Sequence, residues 1–271
     1  MIEKIFYKFG FERIKGPIAN TITFPYQRTV NIRETQFNFW IVDETGKQWY
    51  EHNFWDGAIE MQQLKQLLNP NDHVLGIGVH HGFTACYISK NLSLNGRFIG
   101  IELSPKSALY AQAQLKLNNF GTNAQIINAA ASDKEGVISF NNVENGNAMI
   151  NVNNTNNFIK AVTGDSLLKE LGHINLLKID VEGFEINVLK GCKEIINSVP
   201  KIALEIHLDS ITQYGGSVND IFNLIPLEKY TGRYFWNSGT QYIRPDTHKL
   251  TDLEIEKLPS TGIINLFLTP K

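Results

Sequence analysis

A doubly wound, mostly parallel α/β sheet is the fold class that this sequence predicts, on three observations. From about residue 57 onward, short apolar runs alternate with segments of helical periodicity. The run Val74-Leu75-Gly76-Ile77-Gly78-Val79 is apolar without strict alternation, as in a strand covered by helices on both faces. The end of the chain differs in kind. Tyr230 to Trp236, Thr240 to Arg244 and Gly262 to Leu268 read as strands with no full helix between each, which adds a C-terminal antiparallel strand.

The elements follow in order. Ile2, Ile5, Phe6 and Phe9 repeat at helical spacing, so a short amphipathic helix opens the chain and Gly10 ends it. Residues from Thr21 to Phe54 turn aromatic and β-rich around a turn at Glu44-Thr45-Gly46. These first 56 residues form a small appendage, and residues 57–271 form the main domain. Asp56 caps a helix through Leu68 that Asn69-Pro70 stops before the first sheet strand. A helix from Phe83 to Lys90 and a strand from Phe98 to Ile101 follow. Ser104 and Pro105 then start a helix that ends near Asn119. Ala124 to Ala129 is the next strand. Gly136 to Phe140 and Phe158 to Val162 pair around an asparagine-rich excursion, read either as a solvated loop or as a substrate lid. A short helix from Asp165 to Leu171 leads to the strand Ile174 to Ile179, and a helix follows with Phe184, Val188, Cys192 and Ile195 on one face. Lys201 to His207 is a further strand and Val218 to Ile225 a further helix.

Composition narrows the function. The chain has 271 residues and a net charge of -2, with no long basic block, so the electrostatic footprint of a nucleic-acid binder is missing. Two cysteines without metal-type spacing read as buried, reduced thiols. No apolar run approaches the roughly 20 residues of a membrane span, and the first residues show no signal core, which makes the cytoplasm the expected location.

The stretch from Asp72 to Glu102 reads as strand, glycine turn, helix, strand, which is a nucleoside half-site. Gly76, Gly78 and Gly82 allow close backbone approach. Glu102, 20 residues past Gly82, stands at a strand tip where a carboxylate can accept ribose hydroxyls. A dinucleotide fold requires G-x-G-x-x-G, and here His81 stands where the third glycine should be. Gly78 and Gly82 instead form the G-x-x-x-G common in enzymes that bind S-adenosylmethionine (SAM). His80 in this turn, and Ala131, Ser132 and Asp133 in a loop on the same sheet edge, join the candidate cofactor contacts.

Reactive groups cluster at two further strand tips. Asp180 and Glu182 are two residues apart, as are Glu205 and His207, so each pair projects to one side of its strand. Asp180 is a candidate for both cofactor binding and catalysis, with Glu182 and His207 as catalytic partners. An alkyl hydroxyl is about as weak an acid as water, with a pKa of ~15.7, so methylating one requires a base or a metal. His207 is the favoured base; Asp180 and Glu205 are the hard ligands a divalent metal would use, the less favoured route. Glu205 has a structural alternative, pairing with Lys178.

Several separated blocks resemble the FkbM-type family of SAM-dependent methyltransferases. The most specific is Leu176 to Gly191, LLKIDVEGFEINVLKG; others are Ala130 to Gly136, Asp165-Ser166-Leu167-Leu168, Leu204 to His207 and Ile264 to Leu268. The resemblance implies a Rossmann-like methyltransferase sheet, SAM as methyl donor, and oxygen as acceptor, often a hydroxyl of a small molecule or glycan. One departure stands out: the family's D-x-G-A-N-x-G has Gly76 in place of the aspartate and Val79-His80 in place of alanine-asparagine. Two alternatives remain open, a non-catalytic binding protein of this fold and an NAD-dependent oxidoreductase.

Overall fold

The computed structural model describes residues 23–52, 58–142, 148–150, 157–238 and 249–271. The expected helix at Ile2 to Phe9, the cap at Asp56 and the strand from Thr240 to Arg244 lie outside them.

The chain begins with a hairpin of β1 (Tyr26–Ile32) and β2 (Thr35–Ile41), turned at Arg33-Glu34. The expected turn at Glu44-Thr45-Gly46 is instead the first turn of α1 (Glu44–Tyr50), because the Asp43 side chain accepts the Gly46 N–H and caps it. α2 (Ile59–Leu67) precedes β3 (His73–Ile77), and α3 (Phe83–Asn91) leads to β4 (Arg97–Glu102). α4 (Pro105–Leu117) starts as expected, with the Ser104 hydroxyl accepting the Ser107 N–H, and leads to β5 (Ala124–Asn128). A small side sheet comprises β6 (Ala130–Ala131), β7 (Gly136–Asn142), β8 (Ala148–Ile150) and β9 (Phe158–Val162). α5 (Leu168–Leu171) and β10 (Leu176–Ile179) follow.

The single helix expected after β10 is two, α6 (Glu185–Lys190) and α7 (Lys193–Asn197). The break falls at Gly191, where a Cβ would lie 2.0 Å from the Ser132 carbonyl oxygen, so the chain bends around a close backbone contact. β11 (Lys201–His207), α8 (Leu208–Ile211), α9 (Val218–Phe222), β12 (Tyr230–Asn237), β13 (Thr251–Asp252) and β14 (Ile263–Pro270) complete the chain.

The main sheet has the order β13-β12-β14-β11-β10-β3-β4-β5. The five strands from β11 to β5 are parallel, and β14 runs antiparallel between β11 and β12. The fold is therefore the expected Rossmann-like class with its antiparallel C-terminal strand. Alternation along β3 sends Val74 to one face and Leu75 and Ile77 to the other, and an apolar core fills each face. The strand order reverses between β3 and β10, where ligands of doubly wound sheets lie.

The N-terminal hairpin shares one of those cores. Phe37 and Phe39 meet Phe83 of α3 edge to face, with ring centroids 5.5 and 5.4 Å apart. Two α4 amides then pair with the β2 edge as another strand would: Gln114 accepts from Trp40 N and donates to Trp40 O, each at 2.8 Å, and Asn118 does the same at Asn38. Both cysteines, Cys86 and Cys192, are free and buried. Among the described residues no helix is long and apolar enough to cross a membrane.

Candidate active site

A cleft opens at the carboxyl ends of β3, β4 and β10. Ile77, Ile101, Ala129 to Ala131, Val181 and Phe184 give it apolar walls, and Ile150 of the asparagine-rich excursion reaches it. Its acidic groups are Glu102, Asp180 and Glu182; among the described residues no lysine or arginine lines it.

Backbone groups build the β3 end. Gly78 has φ +78°, and a Cβ there would lie 1.6 Å from the Asp180 carbonyl oxygen, so only glycine lets the two strand tips meet. Gly82, φ +88°, plays a different part, away from the cleft: a Cβ there would lie 2.8 Å from the Ala111 Cα of α4, so its absence lets α3 and α4 pack together. Gly76 also stands back, covered by the Phe98 ring 2.9 Å from where its Cβ would be. That ring occupies the room an aspartate would need.

Glu102 takes up the loop's N–H groups instead. Its Oε2 accepts from Val79 N at 3.1 Å and His80 N at 2.7 Å, and its Oε1 accepts from Ser104 N at 2.8 Å. Burial pushes this carboxyl up to about 7, against the downward pull of the three N–H groups. Its first task is thus to hold the loop, while its place in the lining leaves it facing a ligand. His80 lies in the cleft wall with Nδ1 2.6 Å from the Tyr50 hydroxyl, so α1 grips the glycine loop. His81 is fully buried and stacks on His80 with centroids 4.0 Å apart; burial, His80 and Lys106 hold it well below the ordinary imidazole value.

Side chains build the β10–β11 end. Lys178 is buried in β10, with Nζ 3.5 Å from Asp180 Oδ2 and 3.8 Å from Glu60 Oε1 of α2. The expected Lys178–Glu205 pair is thus replaced by pairs to Glu60 and Asp180. The turn after β10 is tight, Glu182 at φ +55° and Gly183 at +108°, which turns Glu182 into the cleft. His207 sits among carboxylates: Nδ1 is 3.0 Å from the buried Glu185, and Nε2 is 3.3 Å from Glu182 and 3.5 Å from Glu205. Burial alone would lower its pKa, but Glu185, Glu205, Glu182 and Asp180 together raise it to about 10. A histidine so held is an imidazolium at neutral pH, which does not fit the expected role of free base. Burial and Asp180 push the Glu205 carboxyl well above its usual range. Asp180, Glu205 and His207 offer ligand atoms within 4.8 Å of one another, the one group of metal-ligating type among the described residues, although Lys178 already supplies positive charge there.

Of the residues singled out in the sequence, Gly78, His80, Glu102, Ala131, Asp180 and Glu182 line the cleft and His207 abuts it through Glu182; Gly76, Gly82, Ser132 and Asp133 are not among the lining residues. Sequence reasoning missed Glu60, Tyr50, Glu185 and the apolar walls.

The fold and this cleft define a Rossmann-like protein with a nucleoside-type ligand site at the switch point of its sheet. Residues 76–244, more than half of the chain, match the Methyltransferase FkbM domain, and the chain belongs to that family of SAM-dependent methyltransferases. It is 43% identical over 51 residues to the hexuronic acid methyltransferase AglP of Haloferax volcanii, a match covering 18% of this chain and 21% of that protein. Similar solved structures include the precorrin-6y C5,15-methyltransferase of Geobacter metallireducens, with a TM-score of 0.43, 15% identity, and coverage of 80% of this chain and 87% of that one. An O-methyltransferase of Bacillus cereus in complex with SAH gives a TM-score of 0.44 and 11% identity over 79% of this chain and 80% of that one.

Proposed function

We propose that this protein methylates a hydroxyl oxygen of a small molecule or glycan, using SAM held in the β3–β4 half of the cleft. The observation that carries the reading is the charge of the lining: carboxylates at Glu102, Asp180 and Glu182 and, among the described residues, no lysine or arginine. Such a wall favours the cationic sulfonium and ammonium groups of SAM and disfavours the diphosphate of a dinucleotide. Gly78, His80, Glu102 and Ala131 would hold the cofactor, which when bound supplies the methyl group. The apolar walls exclude water from its reactive end.

Proton removal falls to a carboxylate. Asp180 lines the cleft and is the proposed acceptor of the hydroxyl proton, while the His207 cation orients Glu182 from 3.3 Å. A divalent metal on Asp180, Glu205 and His207 is the competing route to an acidified hydroxyl. The stretch shared with a hexuronic acid methyltransferase supports a sugar-type acceptor.

A methyl-transfer assay with labelled SAM against neutral and acidic glycans and small alcohols tests this. The expected product is a methyl ether, formed equally with and without chelator. Asp180→Asn should lower kcat about 10²- to 10⁴-fold, the usual share of a general base, and leave SAH affinity within a few-fold. Full activity in Asp180→Asn removes it as the base, turnover stopped by chelator favours the metal route, and no transfer to any alcohol leaves a non-catalytic binding protein as the better reading.

A further inference from the structure

Glu60 lies outside the stretch that matches the family, yet it reaches the site that the family defines. Lys178 is 5% exposed, a poor place for an ammonium unless opposite charges surround it. The charged groups facing it come from three places: Glu60 on α2, Asp180 after β10 and Glu205 on β11. Burial lowers the lysine's pKa, but Asp180, Glu60 and Glu205 raise it more, so the group stays cationic.

The ammonium is shared between two carboxylates, 3.8 Å from Glu60 and 3.5 Å from Asp180. We propose that Glu60 is a positioning residue that draws Lys178 away from Asp180, leaving an Asp180 oxygen open to the acceptor. Without Glu60 the ammonium, on a four-carbon stem, settles onto Asp180 as a closed ion pair. That pair competes with the acceptor hydroxyl for the same oxygen. The segment preceding the family match therefore completes the catalytic edge, through α2. The inference rests on Asp180 acting at the cleft, and its readouts separate the two claims.

The first readout needs no turnover. Lysine-selective ¹⁵N NMR of the full chain at one fixed neutral pH compares the Lys178 Nζ signal between variants, and the signal should move in Glu60→Gln and in Asp180→Asn relative to the wild type. The second is kinetic. Glu60→Gln should lower kcat roughly tenfold, about 1.4 kcal/mol, with KM for SAM within twofold. In a Lys178→Met background the same change should have no further effect, since Glu60 acts through the lysine. Lys178→Arg keeps the charge and should stay nearer the wild type than Lys178→Met, which covers the case in which the methionine variant folds poorly.

Wild-type kcat in Glu60→Gln, or an equal loss in the Lys178→Met background, overturns the proposal. Absence of methyl transfer by the wild type overturns the preceding functional reading instead. The fixed-pH NMR comparison then judges the contact alone, and a Lys178 signal unmoved by Glu60→Gln overturns it.

Discussion

At the β3–β4 end of the cleft, backbone does the polar work: Gly78 lets two strand tips meet, and three N–H groups converge on Glu102. At the β10–β11 end, side chains do it, with Lys178 and His207 set among Glu60, Asp180, Glu182, Glu185 and Glu205. The two ends should therefore fail differently. A backbone-built end is insensitive to most side-chain chemistry but intolerant of an added Cβ at its contacts. A side-chain-built end keeps its shape through isosteric changes and responds to pH.

The largest expected effect is at Gly78. Gly78→Val places atoms on the Asp180 carbonyl and forces a branched residue to positive φ, which should cost more than about 4 kcal/mol, the range of severe single substitutions. Thermal unfolding with and without SAH measures it. Gly121→Ala, where a Cβ meets nothing within 4 Å, is the control and should stay within about 0.5 kcal/mol. A stable Gly78→Val that still binds SAH would break the distinction between the two ends.

Next comes Gly76→Asp, which restores the residue that FkbM sequences carry. The Phe98 ring fills that space, so overpacking should destabilise the fold by about 1–3 kcal/mol, with no gain in SAM affinity. Tighter binding in a calorimetric titration would show that the ring can move aside and that the acid can take the loop N–H groups over from Glu102.

The remaining effect appears in the pH profile of the other end. His207 binds its proton more tightly folded, with a pKa of about 10 against 6.5. Its contribution to stability is therefore complete below 6.5 and is lost as pH rises through about 10. The limiting slope for one proton is ~1.4 kcal/mol per pH unit. Urea unfolding of wild type and His207→Gln between pH 6 and 10 should show the wild type losing its advantage across that window. Parallel curves would mean that the carboxylates do not hold a charged imidazole.

How much of this was legible in the sequence follows the same division. Strand, glycine turn and helix around Gly78 are local patterns, so the β3–β4 half, β10, β11 and the antiparallel β14 could all be placed from periodicity and spacing. The D-V-E-G turn and the tip pairs placed Asp180, Glu182 and His207 together for the same reason. Two local signals were misread. Asp43 before Glu44-Thr45-Gly46-Lys47 is an N-cap pattern that outweighed the turn-like glycine, and Gly191 marked a helix break that the apolar face of Phe184 to Ile195 obscured. Other features had no local signal. Glu60 meets Lys178 across the sheet, and Phe98 covers Gly76 from the neighbouring strand, so both depend on register. The charge on His207 depends on Glu185, whose helix position resembles that of an ordinary first-turn acid.

The central claim is that an acidic cleft, lined by no lysine or arginine among the described residues, selects a cationic nucleoside cofactor over a dinucleotide. Calorimetric titration and thermal unfolding of the full chain with SAM, SAH and NAD in parallel test it most directly. Saturation at 100 times the dissociation constant adds about 2.7 kcal/mol, which for a chain of this size raises the unfolding midpoint by several degrees. SAM and SAH should produce that shift, and NAD at the same concentration should produce none. A shift with NAD, or none with SAM and SAH, would contradict the account.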